Sequence, residues 1–91
     1  NMASGDSQVG SVLTKVISSD LPEDCVVTSA RYDTDGYSVQ VASSNDAIES
    51  GDIKSSLPSD LKIADIDKNS ANINSKGVKY TSLFAVTIIP S

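Results

Sequence analysis

Three places in this 91-residue sequence hold residues of the right type and spacing for chemistry. The stretch "DIDKNSANINSK" sets Asp65, Asp67 and Asn69 at alternate positions, which is how a calcium loop opens. The rest of that pattern is missing. It wants glycine where Ser70 stands and a bidentate acid where Lys76 stands, so the stretch reads as a solvated edge strand followed by a polar connection. Cys25 is the single cysteine, and the chain has no histidine, so neither a zinc site nor a Cys-His nucleophile can be assembled. It opens the apolar run "CVV", where a free cysteine behaves as a small buried hydrophobe; a regulatory or intermolecular disulfide is the alternative. In "DTDG" two aspartates flank a hairpin apex, and turn chemistry accounts for both. Serines are abundant, but no Gly-x-Ser-x-Gly elbow occurs, and the carboxylates and lysines fall mostly at turns or on polar faces. The residues therefore predict no enzyme, no cofactor and no metal.

Charge and composition narrow the partners. The formal charge is -5, so the surface field repels phosphate backbones and anionic lipid. Phe84, Tyr32, Tyr37 and Tyr80 are the only aromatic residues, too few and too far from any basic stripe to stack single strands. Nucleic acid and direct membrane contact are not expected, and no apolar run reaches the length of a membrane span. The opening "NMASGDSQ" is small and polar. Residues 1–5 are expected to be a leftover of expression or disordered, and 6–91 to form a single α+β domain, with any membrane anchor upstream.

The elements that must carry these residues follow from periodicity. Val9, Val12, Leu13, Val16 and Ile17 make one helical stripe within 6–20, ended by Pro22. The runs "CVVTSARY" (25–32) and "YSVQVAS" (37–43), joined through Asp35 and Gly36, predict a hairpin whose second strand turns Tyr37, Val39 and Val41 to one side. Asp46 and Glu49 stand in capping-box spacing ahead of a second helix that runs through Ile48, Ile53 and Leu57 to Pro58, weakened by Gly51. A strand over 61–67, a connection rich in Asn and Ser, a Lys76-Gly77 turn and a long strand over 78–89 complete the chain. In the last strand Val78, Tyr80, Ser82, Phe84, Val86 and Ile88 share a face.

The order is helix, hairpin, helix, hairpin, and "LPEDCVV" returns as "LPSDLKI". In each copy a leucine is the last apolar contact of a helix, a proline stops it, and an aspartate sits in the turn back into a strand. Two αββ units packed with both helices on one face of a four-stranded sheet give a two-layer sandwich, ferredoxin-like with permuted αββ-αββ order and strand order 3-4-2-1. Val12, Val16, Val39, Phe84 and Val86 are expected to share one core. Strand one and strand three are then edges. Lys62, Asp65 and Asp67 guard strand three, whereas strand one offers the neutral stretch "CVVTSA", so Val26, Thr28 and Ala30 are the candidate interface residues.

The succession of a helix, "LPEDCVVTSARYDTDGYSVQVASS", a helix, "LPSDLKIADI" and "YTSLFAVTI" resembles the PilN family of fimbrial (type IV pilus) assembly proteins and their type II secretion relatives. The resemblance covers roughly Val9 to Ile89 and rests on pattern. It implies a non-catalytic scaffold on the extracytoplasmic, periplasmic face of the cytoplasmic membrane, pairing with a like-folded subunit or with itself as a dimer. The alternative is a periplasmic sensory or regulatory domain of a membrane-bound regulator, binding a small molecule or a companion subunit. A pocket between helices and sheet lined by Tyr32, Tyr37 or Tyr80 would favour that alternative, and a solid core with a dimer through an edge strand would favour the scaffold.

Overall fold

The proline-ended repeat and the two β-rich runs that follow it lay out the chain as expected. The computed structural model describes the backbone of residues 4–33 and 36–89 and the side chains of 10–32 and 36–89. Its elements are α1 (Ser4–Ile17), β1 (Cys25–Asp33), β2 (Gly36–Ser43), α2 (Ser50–Ser56), β3 (Lys62–Ser75) and β4 (Val78–Ile89). All four strands form one antiparallel sheet in the order β1-β2-β4-β3, so the fold is α+β with a four-stranded sheet and two helices. The apex of the first hairpin, 34–35, lies outside the described residues, as does the side chain of Val9; Gly36 follows that apex at φ 128°.

One face of the sheet builds the core. Tyr37, Val39 and Val41 of β2 stand opposite Ile88, Val86 and Phe84 of β4, and all six are buried. Val16 from α1 and Ile53 and Leu57 from α2 join the same cluster, with Val12, Leu21, Ile63 and Ile66 packed against its margin. The five expected core residues are thus together. Ile17, also of the α1 stripe, is 62% exposed.

The repeated Leu-Pro-x-Asp makes the same turn twice. The Cys25 amide donates to the Pro22 carbonyl at 3.0 Å, and the Leu61 amide donates to the Pro58 carbonyl at 3.2 Å. Each turn brings its leucine against the core and starts a strand at once or one residue later. Pro22 does not end α1, however. The helix stops five residues earlier, where the Ser18 hydroxyl donates to the Thr14 carbonyl (2.8 Å) and the Ser19 hydroxyl to the Val16 carbonyl (2.5 Å). The same two carbonyls also accept the Ser18 amide (2.9 Å) and the Ser19 amide (3.2 Å), so side chain and backbone close the last turn together.

Two further expectations are corrected. The capping box of α2 is Glu49 with Asp52, whose carboxylate accepts the Glu49 amide at 2.8 Å, and not Asp46 with Glu49; the helix accordingly begins at Ser50. The connection rich in Asn and Ser is strand: β3 runs unbroken from Lys62 to Ser75 apart from register shifts at 63/65 and 70/73. A two-residue loop, Lys76-Gly77, with φ of 52° and 81°, sets Ser75 directly opposite Val78, so the ladder to β4 overrides the poor strand propensity of Asn and Ser.

Glycine chemistry gives an expected result here. Gly51 lies inside α2 with open space around a built Cβ, so Gly51→Ala should raise stability by about 0.5–1 kcal/mol. Gly77 has equal space but a left-handed backbone, so Gly77→Ala should lower stability by about 1 kcal/mol. Urea denaturation of the two variants checks the opposite signs.

Candidate functional site

The three candidate interface residues lie on β1, which is an edge strand of the sheet. They do not share a face. The ladder to β2 shifts between Val27 and Ser29, leaving Thr28 in a bulge whose hydroxyl donates to the Gln40 carbonyl at 3.3 Å. Before the bulge Val27 packs against the core and Val26 stands outside, 39% exposed; after it Ala30 packs against the core. A regular strand would have set Val26, Thr28 and Ala30 on one side, and the extra residue breaks that alternation. The exposed apolar surface along β1 is therefore Val26 and Tyr32, the latter 40% exposed with its ring 5.2 Å from that of Tyr37. The opposite edge, β3, carries exposed Lys62, Asp65, Asp67 and Lys68, together with two register shifts. Charge and irregularity both discourage pairing there.

The incipient calcium pattern is undone by this strand. Asp65, Asp67 and Asn69 pair with Thr87, Ala85 and Leu83, and all three are exposed. Alternate residues of a strand sit about 6.6 Å apart, so their oxygens spread along the edge where a loop would have gathered them around an ion. Among the described residues no group of three His, Cys, Asp or Glu is placed to hold a metal. Adding calcium is accordingly expected to leave the melting temperature unchanged, because only a ligand that prefers the folded state raises it. A saturable rise in a thermal titration would contradict this.

Cys25 is buried at the start of β1. Burial holds its thiol above the ordinary value, with a hydrogen bond to Ser43 acting the other way and the Asp24 and Asp52 charges adding to the rise. At neutral pH the sulfur is protonated and sheltered, the opposite of an activated nucleophile.

Sequence reasoning missed the role of Asp46. Its carboxylate accepts hydrogen bonds from the Thr81 hydroxyl and from the buried Ser82 hydroxyl (3.3 Å). Its carbonyl accepts from Lys68 Nζ at 2.8 Å, and the same ammonium lies 3.4 Å from Glu49 and 5.9 Å from the Phe84 ring centroid. Asp46 thus ties the loop before α2 to the central strand β4 and to the edge strand β3. The polar hollow beside it, about 510 Å³, is bounded by Asp46, Lys68, Ser70 and Thr81. With the carboxylate already accepting from two hydroxyls, this cluster is a structural fastening. The only local signal was the spacing of Asp46 from Glu49, and it pointed to a helix cap.

A second fastening joins the two repeats. Lys15 of α1 reaches Asp60, in the second Leu-Pro-x-Asp turn, at 2.8 Å. The Lys15 ammonium, by hydrogen bond and by charge, holds the Asp60 carboxyl below its usual value. The pair is fully formed above the ordinary carboxylate range and loosens as pH falls through the depressed value. Both partners are exposed, so the effect on stability is small.

Among the described residues Tyr32 and Tyr37 are cross-strand neighbours, and Tyr80 stands apart from them on β4. Tyr37 is in the core, Tyr32 lies on the β1 edge, and Tyr80 lines an open groove of about 390 Å³ with Val26, Val27, Thr28, Ile73 and Lys76. Comparison of the chain with protein-family models, with curated proteins and with solved structures gives no match.

Proposed function

We propose that this domain is a non-catalytic interaction module that pairs with a like-folded subunit, or with a second copy of itself, by strand addition at β1. The observation that carries the reading is the state of that edge. A nine-residue strand lies at the margin of the sheet with Val26 and Tyr32 exposed and Arg31 as the one cation along it. An unpaired strand edge is a template for another strand, and the bulge at Thr28 restricts which strands fit. The arrangement of α1, β1-β2, α2 and β3-β4 supports a ferredoxin-like sandwich in permuted αββ-αββ order. With the resemblance to PilN-like assembly proteins, it supports a scaffold role on the periplasmic side of a pilus or secretion machine.

Sedimentation equilibrium tests the contact. The domain is expected to self-associate, Val26→Lys to associate about tenfold more weakly because it adds a guarding charge to an exposed edge position, and Asp65→Ala to behave as the parent. Val26 is a cleaner probe than a proline at Thr28, whose hydroxyl is engaged with Gln40. A domain that stays monomeric, or a Val26→Lys variant that associates like the parent, overturns homomeric pairing through β1.

A further inference from the structure

The β3-β4 hairpin outruns the rest of the sheet. Pairing of β2 with β4 ends at Ser43 opposite Ser82, while β3 and β4 stay paired out to Ser75 opposite Val78. Residues 78–81 of β4 therefore have a neighbour on one side only, and among the described residues no further backbone hydrogen bond reaches them. The register shift at 70/73 marks where this arm departs from the regular ladder. Next to it lies the open groove to which Val26 and Val27 of β1 and Ile73 and Tyr80 of the arm contribute apolar surface, while Val78 is itself 40% exposed.

The charge of the arm is opposite to that of the remaining chain. From Lys68 to the end there are three lysines and no acid; the other four cations and all twelve acids precede it, leaving -8 there against +3 here. Lys68 is engaged with Asp46 and Glu49. Lys76 and Lys79 are exposed, and among the described residues neither joins an ion pair. An unpaired backbone edge, an adjoining apolar groove and two uncompensated cations thus occur together on one arm.

We infer that the arm is a second docking site, and that its occupant is an extended acidic segment of a partner protein. The backbone of that segment adds beside residues 78–81, its alternate apolar side chains meet the groove, and its carboxylates face Lys76 and Lys79. A second copy using the same arm is disfavoured, since it would bring the uncompensated Lys76 and Lys79 of one arm beside those of the other, and like charges repel. The site goes beyond pairing at β1, but Val26 borders both surfaces, so its test uses substitutions at Lys76 and Lys79, away from β1.

Fluorescence anisotropy on the whole domain tests this with three capped, labelled heptapeptides: one alternating glutamate with valine, one with lysine in place of glutamate, and the acidic peptide with proline at its centre. The acidic peptide is expected to bind saturably, with affinity that falls as salt is raised. The lysine and proline peptides, and the acidic peptide on the Lys76→Glu/Lys79→Glu variant, are each expected to bind about tenfold more weakly or worse. Both substitutions are at exposed positions, and circular dichroism verifies the fold of the variant. Absence of saturable binding, equal binding of the proline peptide, or an unchanged affinity in the variant overturns the proposal. A dimer of the parent that dissociates in the Lys76→Glu/Lys79→Glu variant also overturns it, because the occupant would then be a second copy.

Discussion

Replacing Phe84 with alanine is expected to lower the unfolding free energy by about 3–5 kcal/mol. Phe84 is the largest fully buried side chain, placed in the middle of β4 between Val41 on one side and Lys68 on the other. Truncation also removes the surface beneath the Lys68 ammonium. A domain of this size has about 5–15 kcal/mol in total, so the loss is a large share of it. Urea unfolding followed by circular dichroism should show the midpoint falling sharply, while Phe84→Leu, which keeps most of the volume, costs less than about 1.5 kcal/mol. A loss under about 1 kcal/mol for the alanine variant would mean that the core closes over the gap.

The second large effect is expected at Ile53, the one fully buried residue of α2. Seven residues are too few to hold a helix in water, so α2 exists through its docking. Ile53→Ala should cost about 2–5 kcal/mol. Its signature differs from that of Phe84→Ala. Hydrogen exchange should accelerate first at the amides of 52–57, with the sheet following only at higher denaturant, because Leu57 and the Lys68–Glu49 pair are the other named contacts that hold this segment. Uniform acceleration across helix and sheet would show that α2 and the sheet unfold as one unit.

Much of the frame could be read from side-chain period alone. Tyr37, Val39 and Val41, and then Ser82, Phe84, Val86 and Ile88, alternate without interruption, and all of them are buried, although Ala42 on the other face of β2 is buried as well. The Leu-Pro-x-Asp repeat specified two equivalent turns, and both formed. What escaped were features decided across the sheet. Asn69 and Asn74 have loop-like propensity and are strand because β4 pairs with them beyond a two-residue turn, and Asn72 is carried between them in the register shift. Thr28 looks like any strand residue, yet two residues of β1 meet one of β2 there, and that count changed which candidate interface side chains face outward. Asp46 looked like a helix cap and serves instead as an acceptor for hydroxyls 35 and 36 positions away. Separations of that length leave no trace in a local window.

The Lys76-Gly77 turn also bears on the order in which the chain assembles. It closes the smallest loop available to a hairpin, so joining β3 to β4 costs little chain entropy, whereas β2 can reach β4 only after the whole α2 and β3 segment has been traversed. Hairpins of this kind form in about 1–10 μs. Asp33 opposite Gly36 gives β1-β2 an equally short closure, so the two hairpins form first, β2 then docks on β4 to join them, and helix docking completes the process. On this sequence of events Gly77→Ala slows refolding and leaves the unfolding rate nearly unaltered, whereas Ile53→Ala acts chiefly by hastening unfolding. Stopped-flow chevrons of the two variants would separate the limbs.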